Sequence, residues 1–110
     1  MRLVSHLRPD LHNNAELCLR GGNVKKVEFD ANAFQDLEWW VERDRKVALR
    51  IFKLIEEVQR TPFEGTGQPE QLKHDLAGCW SRRINQEHRL VYQVIEEEDS
   101  IRILACRYHY

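Results

Sequence analysis

A chain of 110 residues that is 42% apolar can bury one core and no more. Its 17 basic and 18 acidic residues leave a net charge of −1, so no global field draws it onto nucleic acid or membrane, and a polyanion would have to be met by a local cluster. The hydrophobic start is broken by Arg2, His6, Arg8 and Pro9, which excludes a membrane span and argues against a signal peptide.

Cys18, Cys79 and Cys106 are odd in number and lack CxxC spacing, which points to reduced thiols in a cytoplasmic protein. Residues 1–24 show no core-like face, and Pro9-Asp10, Asn13-Asn14 and Gly21-Gly22 break any period. They read as a poorly ordered extension, or as sequence upstream of the true start, ahead of one domain over residues 25–110. Val24, Val27 and Phe29 mark a short strand, ended by Asp30 as a helix N-cap. Phe34, Leu37 and Val41, flanked by Trp40, then line one face of a helix, interrupted by Arg43-Asp44-Arg45-Lys46. A second helix carries Val47, Ala48, Ile51, Phe52, Ile55 and Val58 at helical spacing, and the short join makes an antiparallel hairpin. Thr61-Pro62 stops it, because proline disfavours helical geometry in the residue before it.

Pro62, Gly65, Gly67, Pro69 and Gly78 make residues 61–79 a loop, with room for a short turn around Glu70–His74. The period then changes to two. Trp80–Asn85, His88–Ile95 and Ile101–Tyr110 read as strands joined at Gln86-Glu87 and Glu96–Ser100. The order is β-α-α-β-β-β: an α+β fold with an antiparallel sheet and a helical hairpin on one face.

Alternation sorts the strand side chains: Ser81, Arg83 and Asn85 oppose Trp80, Arg82 and Ile84, and Arg89, Val91 and Gln93 oppose Leu90, Tyr92 and Val94. Arg83 and Arg89 flank one tight turn. The last strand brings Arg107, His109 and Tyr110 to the sheet, and the preceding loop adds Glu70, Lys73 and His74. A carboxylate, an imidazole and guanidiniums around a phosphate-sized gap suit metal-free RNA cleavage: a base takes the ribose 2′-OH proton, cations stabilise the phosphorus centre, and an acid protonates the leaving oxygen. Taken singly, each strand arginine reads as a solvated face, His88 as structural, Glu96–Asp99 as a solvated hairpin tip, and Trp39, Trp40 and Trp80 as packing contacts. Cys106-x-x-His109 is one ligand pair without a second, so no metal and no cofactor are expected.

Arg60-Thr-Pro-Phe-Glu-Gly65, Gly67, Pro69-Glu70, Leu72-Lys73-His74, Leu76, Gly78, Trp80-Ser-Arg-Arg-Ile84, Glu87-His-Arg-Leu-Val-Tyr92 and Cys106-Arg-Tyr-His-Tyr110 closely resemble the YoeB (Txe) toxins of the RelE/ParE superfamily, more loosely back to Val24. The resemblance implies a type II toxin that cuts messenger RNA in the ribosomal A site and is silenced by a YefM (Axe)-like antitoxin. It makes Glu70 the general base, His109 the general acid and Arg89 the stabiliser of the transition state. Arg83 and Lys73 would position the phosphate, Tyr110 would orient the terminal site, and His74 matches the motif. It implies the 70S ribosome and messenger RNA as partners, an acidic antitoxin segment folding onto the basic cleft, and a possible homodimer. Gln71 departs from the family's common proline and Cys79 from its common aromatic, and the 96–100 hairpin is longer. A ParE-like toxin acting by protein binding, for example on gyrase, is the alternative, since fold alone does not fix activity.

Overall fold

A computed structural model describes residues 24–107. The expectations for residues 1–23, for Tyr108 and for His109 and Tyr110 fall outside the described residues. Two helices lie on one face of a five-stranded sheet. β1 (Lys26–Phe29) leads into α1 (Ala31–Arg43) and α2 (Arg45–Arg60); β2 (Glu70–Gln71), β3 (Cys79–Arg83), β4 (Arg89–Ile95) and β5 (Ser100–Ala105) follow, in the sheet order β1-β5-β4-β3-β2. Among the described residues no helix is long and apolar enough to cross a membrane.

The sheet is mixed rather than wholly antiparallel, because β1 runs parallel to β5. Period-two alternation reports faces and not directions, so the sequence does not disclose this. The 61–79 loop also holds more than a turn. Glu70 and Gln71 pair antiparallel with Ser81 and Trp80 as an edge strand, and His74–Leu76 form a 3₁₀ turn.

One residue makes the helical hairpin. The Asp44 amide closes α1 on the Trp40 carbonyl at 2.7 Å, and its carboxylate caps α2 by accepting from the Val47 amide at 3.3 Å. Asp30 does stand at the N-cap of α1, but its side chain makes no capping bond. The helix faces match expectation at Leu37 on α1 and at Ala48, Ile51, Ile55 and Val58 on α2, and depart from it at single positions. Ala33, Leu37 and Trp40 are buried on α1 while Val41 is exposed; on α2 Leu54 is buried and Phe52 exposed. The Trp40 indole wins the inward position because its N–H finds the Cys106 carbonyl at 2.8 Å, which an aliphatic side chain cannot do.

The main core lies between the helices and β1, β5 and β4, built on Phe29, Leu37, Ile51, Val58, Leu90, Tyr92, Ile101 and Ile103. A smaller cluster on the opposite face joins Cys79, Val91 and Ala105 to Leu72, Leu76 and Leu104. Ala105 joins it through a bulge: Val91 pairs with Ala105 and Tyr92 with Ile103, which leaves Leu104 unmatched. Strict alternation would aim Ala105 at the helices; the bulge turns it to the other face and sends Cys106 inward. β5 therefore ends at Ala105, short of the expected Tyr110.

Candidate active site

The sheet face turned away from the helices gathers the candidate residues through strand register. Glu70 pairs with Ser81 across β2 and β3, and Arg83 pairs with Arg89 across β3 and β4. The Arg89 guanidinium stands 3.6 Å from the Glu70 carboxylate and donates to the Ser81 hydroxyl at 3.3 Å. Ser81 is fully buried, whereas the Glu70 side chain is 64% exposed and that of Arg89 26%. An ion pair this open is worth about 0–1 kcal/mol, so an incoming phosphate can displace the carboxylate from the guanidinium at little cost.

Arg83 is exposed directly opposite Arg89. Like charges facing one another across a strand pair are destabilising, and one carboxylate among two guanidiniums leaves an excess of positive charge. Natural proteins break such local rules mostly at functional or strained sites. Lys73 and His74 are exposed on the turn after β2, His74 with a left-handed φ of 60°. Their carbonyls accept from the Leu76 amide at 3.2 Å and the Ala77 amide at 3.0 Å, while neither side chain makes a hydrogen bond or ion pair among the described residues. Their loop is held to the sheet by Leu72 and Leu76 in the small cluster, and by the Leu72 amide donating to the Cys79 carbonyl at 2.9 Å.

Residues that the sequence left without a role hold this face from behind. Arg82 does point with Trp80 and Ile84, away from Arg83, and it is fully buried. Its five N–H groups meet five acceptors: the Tyr92 hydroxyl at 3.2 Å, the Glu57 carboxylate at 2.7 Å, and the carbonyls of Thr66 at 3.3 Å, Glu64 at 2.8 Å and Thr61. Glu57 also accepts from the Thr66 amide, which holds its carboxyl below the ordinary range. Tyr92, whose phenol is pushed up by burial, donates to the Pro62 carbonyl.

The chain leading to the expected acid is fixed at its last described residues. Cys106 donates its amide to Asp36 at 3.1 Å, accepts from Trp40, and directs its thiol at the Ala33 carbonyl at 3.4 Å. Burial pushes that thiol up to about 12, so it stays protonated. Arg107 does not join the arginines of the sheet. Its guanidinium lies 3.8 Å above the Trp39 ring. His88 packs edge-on against Trp40 at 4.8 Å, as a structural histidine would. Arg102 pairs with Glu28 at 3.9 Å, and the acidic tip is bridged by Lys25, 3.0 Å from Asp99.

Residues 29–110 match the family model described as the YoeB-like toxin of the bacterial type II toxin-antitoxin system. The chain belongs to the YoeB family. It is 51% identical over 85 residues to the toxin YoeB of Escherichia coli (strain K12), a span covering 77% of this chain and 99% of that one. Among solved structures, a YoeB/ParE toxin from Agrobacterium tumefaciens superposes with a TM-score of 0.75 at 42% identity, covering 77% of this chain and 99% of that one. A YoeB-YefM complex from Staphylococcus aureus contributes a YoeB-like chain with a TM-score of 0.70 at 40% identity, covering 78% and 98%. The fold and family expected from the closing motifs are borne out, and the chain is the toxin component of a type II pair.

Proposed function

We propose that this toxin is a ribosome-dependent messenger RNA endoribonuclease that stops translation by cutting the codon exposed in the A site. The observation that carries the reading is the cluster of Glu70, Ser81, Arg89 and Arg83 on one open face. Glu70 takes the proton of the ribose 2′-OH, and the freed oxygen attacks the adjacent phosphorus. Arg89 and Arg83 stabilise the charge that gathers on the phosphoryl oxygens. His109, which the family resemblance makes the acid, protonates the 5′-oxygen as its bond to phosphorus breaks. The products are a 2′,3′-cyclic phosphate and a 5′-hydroxyl. Lys73 and His74 stand at the rim to meet the backbone, and Tyr110 orients the terminal site.

The resting ion pair fits this cycle. Phosphate competes for Arg89, which frees the Glu70 carboxylate to act as a base in the same encounter. A near-neutral chain has little grip on free RNA, so presentation by the ribosome supplies the alignment that the protein alone lacks. A YefM-like antitoxin is the proposed inhibitor, laying an acidic segment over the Arg83 and Arg89 face.

The test is cleavage of a messenger carrying a single 2′-deoxy nucleotide at the site that primer extension maps in cells expressing the toxin. The all-ribose messenger is cut there and the 2′-deoxy one survives. Equal cutting of both would remove the 2′-OH, and with it the proposed chemistry. Intact messengers together with inhibited supercoiling would favour action on gyrase.

A further inference from the structure

We infer that Arg82 is a positioning residue for Glu70: its buried guanidinium is the anchor that holds the 61–67 loop and so sets where the Glu70 carboxylate stands. The inference rests on the reading of Glu70 as the general base.

β2 cannot place Glu70 unaided. It is two residues long and lies at the sheet edge, with partners on one side only. So short a strand has little stability of its own. The chain immediately before it is instead fastened at close intervals. The carbonyls of Thr61, Glu64 and Thr66 accept from Arg82, Pro62 accepts from Tyr92, and Gly67 accepts from the Arg83 amide at 2.6 Å. From Gly67 only Gln68 and Pro69 separate the fastened loop from Glu70.

Three features show that the loop is built around this guanidinium. First, the donors and acceptors match in full, with no N–H of Arg82 left over, as a buried cation requires. Second, Glu57 reaches from α2 to take both Arg82 and the Thr66 amide, tying helix, strand and loop at one carboxylate. Third, the loop comes too close for an ordinary residue at Gly65, where φ is 125° and an added Cβ would stand 2.2 Å from Glu57 Oε1 and 3.1 Å from Arg82 Nη1. Arg82 lies on the helix side of β3 while its neighbour Ser81 holds Arg89 and pairs with Glu70 on the other. One strand therefore fixes the base through its loop and the phosphate cation through its hydroxyl. A lysine keeps the charge at position 82 but not the planar fork, and its three donors cannot serve five acceptors in these directions.

The experiment measures cleavage by the full chain on ribosomes programmed with a synthetic messenger. It uses Arg82→Lys and the milder Glu57→Gln, each in the wild-type and in the Glu70→Ala background, with thermal melting to establish the folded fraction. Both variants are expected to lower kcat by roughly 10–100-fold, the scale set by displacing a reacting group by about an ångström. KM for ribosomes stays unchanged, and the loss vanishes when Glu70 is already absent. Loss of the same size in both backgrounds, a change confined to KM, or full activity in both variants overturns the positioning role while leaving Glu70 as the base. Undiminished cleavage by Glu70→Ala itself overturns the reading of the base, and the inference with it.

Discussion

Arg82 and Arg83 follow one another along β3, yet one is sealed beneath the helices among five acceptors and the other stands exposed opposite Arg89. Two carboxyls show the same contrast. Glu57 is held below its ordinary value of 4.5, mainly by the Thr66 amide, with Arg82 adding to the effect. Its contribution to stability is therefore present above that value and lost as pH falls through the lowered folded value. Asp36 is raised above 3.8 by burial, which outweighs the Cys106 amide and the Arg107 charge. Its contribution runs the other way: present at low pH and lost as pH rises through the folded value. Glu57→Gln should accordingly flatten the acid limb of a stability-versus-pH curve from urea melts. Asp36→Asn, which keeps an acceptor for Cys106, should be no less stable than wild type at pH 7. At this scale alternation and the tight turn made Arg83 and Arg89 legible as neighbours, whereas Glu70 was read as a loop residue that the family motif singles out. The sequence was silent on Glu57, Asp36 and the work of Arg82, because an inward arginine looks like any strand arginine until its distant partners are known.

Among elements, the hairpin turns on Asp44, which ends one helix and caps the next. Asp44→Ala should cost about 1 kcal/mol in chemical denaturation, with no loss of cleavage at temperatures where the variant is folded, since the turn is on the side of the sheet away from Glu70. The helices and three main strands were readable because their periods are long and regular. The helix faces were read correctly at Leu37, Ala48, Ile51, Ile55 and Val58 and wrongly at Val41 and Phe52, because Trp40 and Leu54 are chosen by what they meet across the core. β2 escaped notice because two residues hold no period, and the Leu104 bulge because alternation assumes that every residue has a partner. That bulge matters to the site, since it sends Cys106 inward to the anchors on α1 from which the chain continues to His109.

Over the whole molecule, the helices face one way and the open cationic site the other, with the sheet between them. Stability and chemistry are thus largely separable. Removing His109 and Tyr110 together should leave the melting temperature within a few degrees of wild type while abolishing cleavage and growth arrest. A large fall in melting temperature would instead give the closing residues a packing role. The family was legible in the ordered run from Arg60 to Tyr110, which is far more specific than the fold it belongs to.

The most direct measurement of the account is the single-turnover rate of messenger cleavage on programmed ribosomes, wild type beside Glu70→Ala at saturating protein. Loss of a general base predicts a fall of roughly 10²–10⁴ with cutting at the same codon. A rate within about twofold of wild type, where removal of a base is worth at least 10², would contradict it.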